Sequence, residues 1–154
     1  MDAELRIDLA GAADGAVLLA LARAFHAEDG HPLDAAGEAA VLAVAAGEPL
    51  ARAWILRRGG EALGYLILTL GYSVEYGGRD GFIDDLYLAP ALRGQGAGRH
   101  LLGFALEQAA RLGINTLHLE VEAENPRAHR LYRQAGFEET GRRLMRRRIL
   151  PRAG

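Results

Sequence analysis

The stretch that most limits what this chain can fold into is "FIDDLYLAPALRGQGAGRHLL", residues 82–102. An apolar strand pattern runs up to Pro90. Gly94, Gly96 and Gly98 then alternate between Arg93 and Arg99. A helical repeat begins at once, with Leu101, Leu102, Ala105, Leu106 and Ala109 on one face and Gly113 as its stop. A strand, a glycine loop and a helix in that order aim backbone N–H groups from a helix N-terminus. Hydrogen bonds and the helix dipole then favour an anion. The same glycines also suit a plain tight turn.

Composition removes several chemistries. The 154 residues contain no cysteine, so disulfides, thiolate metal sites and a thiol nucleophile are excluded. All 18 basic residues are arginine, so there is no Schiff-base lysine and no P-loop lysine. The five histidines have no zinc-ligand spacing, and no metal is expected. The chain has the size and apolar share of one ordinary domain. It has no run long enough to cross a bilayer, and "MDAELRIDLA" does not resemble a signal peptide. A cytoplasmic protein without a membrane partner is the expectation. Net charge is −2, but residues 126–154 carry nine arginines against two acids. No aromatics interleave the arginines of "GRRLMRRRIL", so a solvated basic face is expected rather than a nucleic-acid surface.

The remaining pattern reads as one mixed α/β domain. Leu5–Leu9 alternates as a short strand. Ala13–Glu28 and Asp34–Ala46 are helical, the second with Asp34 as its N-cap. "ARAWILRR" and "ALGYLILTL" are strands joined at Gly59-Gly60. "NTLHLEVEA" alternates as a strand. "NPRAHRLYRQAG" is a short helix capped by Asn125, opened by Pro126 and stopped by Gly136. "FEETGRRLMRRRI" predicts one or two final strands. The order is β-α-α-β-β-β-α-β-α-β.

Three anion-loop patterns compete for the glycines. A P-loop fails for want of lysine. A dinucleotide fingerprint fails because the third glycine would fall at Arg99 and the loop lies mid-chain. R-x-x-G-x-G fits Arg93, Gly96 and Gly98. With "LEVEAENPRAHRLYRQAGFEETG" after it, the chain resembles the GNAT superfamily of acyl-CoA-dependent N-acetyltransferases. The resemblance covers the whole chain and is strongest from Phe82 to Phe137. "YSVEYGGRDGFIDDLY" is similar to bacterial small-amine, diamine acetyltransferase-like members.

The resemblance implies a single-domain GNAT fold over residues 1–154. Its mixed, mostly antiparallel central sheet would be flanked by helices. It implies acetyl-CoA as cofactor, with the pyrophosphate on the loop Arg93, Gly94, Gln95, Gly96, Ala97, Gly98 and Arg99. The backbone of Leu86, Tyr87 and Leu88 would meet the pantetheine, and Asn125 and Ala128 would lie beside the cofactor. It further implies Tyr132 as the acid that protonates the departing thiolate, and Asp84 as the base that takes a proton from the amine. On those elements Asn125, Ala128 and Tyr132 share one helical face.

Asp84 and Asp85 are adjacent on a strand, so they are expected on opposite faces of the sheet. Either could be the base; Asp85 is also a candidate for substrate binding. Each is equally a plain partner for an arginine. Glu28, Asp29 and Tyr76 lie in the segments that form the acceptor pocket in the family. Their acidity suits a small cationic amine as substrate. A peptide or protein amine is the alternative, followed by a non-catalytic acyl-CoA-binding module. Homodimerisation through the C-terminal strands is a family habit and a further expectation.

Overall fold

The computed structural model describes residues 4–151. Five strands form one sheet in chain order: β1 (Leu5–Leu9), β2 (Ala51–Arg58), β3 (Glu61–Ser73), β4 (Gly78–Leu88) and β5 (Thr116–His118). β1 to β4 pair antiparallel, and β5 pairs parallel to β4. The helices are α1 (Gly15–Glu28), α2 (Ala35–Ala45), α3 (Ala97–Arg111) and α4 (Pro126–Gln134).

β2 and β3 are the middle of the sheet and read as near-continuous apolar runs because both faces are covered. Ala53, Ile55, Tyr65, Ile67 and Tyr87 pack against Leu18, Ala22, Val41 and Ala45 of α1 and α2. Trp54, Leu66, Leu68 and Ile83 pack against Leu101, Leu102, Ala105 and Ala109 of α3. Leu131 and Tyr132 of α4 join that second core. Gly59 and Gly60 both take positive φ, as a two-residue hairpin turn between right-twisted strands requires. Asp34 caps α2 by accepting from the Gly37 N–H at 2.8 Å.

The element order agrees with the sequence reading as far as α4, and two expectations change. β5 ends at His118, well short of "NTLHLEVEA". Residues 137–151 form no strand. The causes are linked. The far edge of β5 needs a neighbour to continue its ladder, and the C-terminal segment does not supply one. "RRLMRRR" breaks period-two alternation, so no register buries its apolar groups. Leu144, Met145, Ile149 and Leu150 all lie in solvent.

Candidate active site

The loop after β4 has the geometry its glycines call for. Gly94 has φ 76° and Gly96 φ 80°, a region where a side chain is strained. Gly96 is the N-cap of α3 and gives no side-chain cap. The first-turn N–H groups of that helix therefore face outward without a side-chain acceptor. A Cβ added at Gly94 or Gly96 would meet nothing within 4 Å, so the space before the loop is open. At Gly98 it would meet Leu131 and Leu88 at 3.5 Å, which shows the loop, the end of β4 and α4 meeting there.

Beside this loop the sheet opens. β4 and β5 pair only over Asp80–Phe82 and Thr116–His118. From Ile83 onward, the β5-side edge of β4 has no strand partner among the described residues. Leu86, Tyr87 and Leu88 border that opening. Leu119, Val121, Tyr132 and Phe137 line a groove. Tyr132 packs edge-on to Phe137. Burial raises its phenol pKa, so it stays protonated and able to donate.

A β-bulge falls where β4 passes the site. Ile67 pairs with Asp85 and Leu68 with Ile83, which leaves Asp84 as the extra residue. The bulge removes the regular alternation on which the expectation of opposite faces rests, because an inserted residue resets which side the chain presents. Ile83 lies in the α3 core, yet Asp85, two residues on, reaches the α1 side. Asp85 is 7 % exposed and is the only buried charged residue among those described. Its Oδ2 accepts from the Tyr65 hydroxyl at 2.7 Å and lies 2.9 Å from His26 Nε2. Asp84 reaches solvent. Lost hydration raises its pKa, the Asp85 charge raises it further, His26 opposes and Glu120 adds a smaller rise.

With that geometry in place, comparison with known proteins decides the family. A profile described as "Acetyltransferase (GNAT) family" matches residues 18–137. The chain belongs to the GNAT family. It is 30% identical over 83 residues to the aminoalkylphosphonate N-acetyltransferase of Salmonella typhimurium, covering 54% of each chain. It is 34% identical over 77 residues to the thialysine N-epsilon-acetyltransferase of Bos taurus, covering 50% of this chain and 45% of that one. The chain thus spans about half the length of the curated relatives it matches. An integron cassette protein from the mobile metagenome of Cole Harbour Salt Marsh is 35% identical, with TM-score 0.79 over 94% of this chain and 91% of that one. AAC(6')-Iy, solved with the bisubstrate analog CoA-S-monomethyl-acetylneamine, shares the fold at TM-score 0.80 and 19% identity over 96% of this chain and 99% of that one.

Within this GNAT domain the structure draws some of the expected residues together and spends others elsewhere. Asn125 caps α4 by accepting from the Ala128 N–H at 3.1 Å. Gln95 donates to the Ala91 carbonyl at 2.7 Å, and Arg99 reaches Gln134 at 3.3 Å. Arg93 donates to the Leu88 carbonyl and clasps both oxygens of Glu28. That contact ties the last turn of α1 to the loop. The Tyr76 ring packs at a tilt against His118, centroids 5.1 Å apart, at the hairpin end of β4. Asp29 converges with His31 and Glu122, their ligand-capable atoms all within 4.8 Å of one another. The His26–Asp85–Tyr65 chain was not anticipated from the sequence. The one hint was an aspartate pair in a strand otherwise buried, which requires a partner for whichever carboxylate turns inward.

Proposed function

We propose that this chain transfers an acetyl group from acetyl-CoA to a small cationic primary amine, by direct attack in a ternary complex. The observation that carries the reading is the division of labour at the β4 bulge. Asp85 is buried and already accepts two hydrogen bonds, whereas Asp84 reaches solvent with its pKa raised. Of the two carboxylates, Asp84 is thus the one free to take a proton from an ammonium. Family membership supplies the reaction class.

Acetyl-CoA supplies an activated acetyl thioester. The residues present suit it. The outward N–H groups from Gly94 to Arg99 bind the pyrophosphate. The open edge at Leu86, Tyr87 and Leu88 takes the pantetheine amides, with Asn125 and Ala128 beside it. Asp84 collects the proton of the acceptor ammonium, directly or through water. Tyr132 would give its proton to the departing sulfur and regain one from the second N–H that the nitrogen sheds as the amide forms. Asp29, Glu120 and Glu122 attract the cation, and Tyr76 borders the acceptor end. Without cysteine no acyl-thioester enzyme forms, so holding both reactants together is the main contribution.

Thiol release from acetyl-CoA over ethanolamine, cadaverine, spermidine, lysine, 2-aminoethylphosphonate and short peptides tests this reading. Turnover of the small cationic amines supports it. Preference for peptides shifts it to a peptide N-acetyltransferase, and CoA binding without turnover of any amine refutes it. A homodimer through residues 142–150 belongs to the same proposal. The exposure of Leu144, Met145, Ile149 and Leu150 supports it, and sedimentation of the full chain against a Leu144→Ser/Met145→Ser variant tests it.

A further inference from the structure

Two other elements hold the buried carboxylate of β4. Asp85 Oδ2 lies 2.7 Å from the Tyr65 hydroxyl of β3 and 2.9 Å from Nε2 of His26, near the end of α1. A carboxylate only accepts, so the phenol and the ring N–H both donate. Tyr65 is fully buried and Asp85 is nearly so, which leaves water no place to substitute for their bond. Tyr65 pairs across the ladder with Tyr87, on the face covered by α1 and α2. Asp85 pairs with Ile67 and takes that same face.

Those two bonds bear on the bulge. On one side of it Leu68 pairs with Ile83; on the other Ile67 pairs with Asp85 and Leu66 with Leu86. Without the extra residue the ladder would run on from Leu68 and Ile83, setting Ile67 opposite Asp84 and Leu66 opposite Asp85. Directly opposed residues share a face of the sheet. Asp85 would then lie beside Leu66 in the apolar core against Leu101, Leu102 and Ala105, away from both of its donors. Asp84 would turn to the α1 face beside Ile67. In the bulged register Asp85 keeps Tyr65 and His26, and Asp84 is exposed. The register thus decides which side each aspartate takes. A buried carboxylate needs donors, so the donors to Asp85 favour the bulged one.

We propose that Tyr65 and His26 are positioning residues for Asp84: their hydrogen bonds to Asp85 lock β4 in the bulged register, and the bulge keeps Asp84 as the carboxylate open to the acceptor amine. The inference rests on the acetyltransferase reading above. In this role neither residue touches the reacting atoms, and neither exchanges a proton. Tyr65 fixes Asp85 to the neighbouring strand, and His26 fixes it to the helix packed over the sheet. Losing either loosens the bulge, and losing both removes the reason for it. A base works only where its carboxylate meets the proton, and a displacement of about 1 Å can cost about a hundredfold in rate.

The test uses the full chain and whichever amine of the panel the wild type turns over best. Tyr65→Phe keeps the ring and removes one donor. His26→Ala removes the other, and His26→Gln restores an N–H. Tyr65→Phe and His26→Ala should each lower kcat about tenfold, with amine KM and CoA affinity within about twofold. His26→Gln should recover most of the His26→Ala loss. In an Asp84→Asn background the two substitutions should cost less than about twofold, because nothing is left to position. Proton NMR should show cross-strand contacts between Asp85 and Ile67 in wild type, lost in Tyr65→Phe/His26→Ala. Where that double variant does not fold, amide exchange of residues 84–86 in the single variants gives the reading, and it should quicken about tenfold or more. Equal losses with and without Asp84, or unchanged kcat in both single variants, overturn the positioning role and leave the acetyltransferase reading intact. Contacts or exchange rates that match wild type overturn the lock whatever the rates of turnover. Wild-type protein that acetylates no amine overturns the acetyltransferase reading, and the NMR data then decide the lock alone.

Discussion

Arg93 holds Glu28 with both carboxylate oxygens, at 2.7 and 2.9 Å. The pair ties the last turn of α1 to the loop after β4, across 65 residues of sequence. Arg93 also donates to the Leu88 carbonyl and lies 5.9 Å over the Tyr87 ring. One guanidinium thereby joins α1 to the edge of the strand opening. Both residues were candidates for ligand contact, and both are occupied with each other.

The Glu28 charge is paired with Arg93. Glu28→Gln should leave the KM of a cationic amine within about twofold, because the lost charge was already neutralised. Both side chains are about half exposed, so breaking the bridge should cost no more than about 1 kcal/mol of stability. Steady-state kinetics beside a thermal melt check both. A tenfold rise in amine KM would instead make Glu28 a substrate contact.

Asp84 carries opposite consequences for stability and rate. Its raised pKa means that the folded state binds a proton there more tightly than the unfolded chain. The ionised carboxylate therefore costs stability at every pH above its folded pKa. The cost shrinks as pH falls through that value and is gone below the ordinary aspartate range. Asp84→Asn should melt higher than wild type at pH 7, and the gap should close in acid. The same variant should lose about a hundredfold in kcat, with its largest deficit at low pH where the amine is protonated. Melting curves and rate profiles over pH measure the two effects. Equal melting at pH 7 would contradict the desolvated carboxylate.

Tyr132 allows a cleaner subtraction, since phenylalanine keeps its packing on Phe137 and in the α3 core. Tyr132→Phe should leave CoA affinity unchanged by calorimetry and lower kcat about a hundredfold. Burial raises the phenol pKa, so wild type should show no loss of rate from Tyr132 ionisation at mildly alkaline pH. Full turnover in Tyr132→Phe would remove it as the acid.

Local chemistry was legible in the sequence and long-range pairing was not. Asp34, Asn125 and Gly59-Gly60 announce caps and a turn through backbone needs that one short segment meets. The glycine loop and its helix were readable for the same reason. The β4 bulge was not, because strict alternation and one inserted residue look alike in "FIDDLYL" until the partner strand is known. His26 with Asp85 and Glu28 with Arg93 are contacts across 59 and 65 residues, which only the fold brings together. The expected C-terminal strand carried β-prone residues but lacked a period-two face, and strand formation depends on a neighbour that sequence does not display.

The loop offers the last separation, between folding and cofactor binding. Gly96 has φ 80° at the α3 N-cap, while its Cβ position faces open space. Gly96→Ala should therefore cost about 1–2 kcal/mol from the left-handed backbone, with no steric clash added. Gly96→Glu carries the same backbone cost and places a carboxylate before the N–H groups proposed for the pyrophosphate. The two variants should then melt alike. CoA affinity should fall modestly in Gly96→Ala and be abolished in Gly96→Glu, where like charges meet at the helix start. Titration calorimetry with CoA, run beside melting curves, reads both quantities. If Gly96→Glu bound CoA as well as Gly96→Ala, the glycines would be a turn and nothing more.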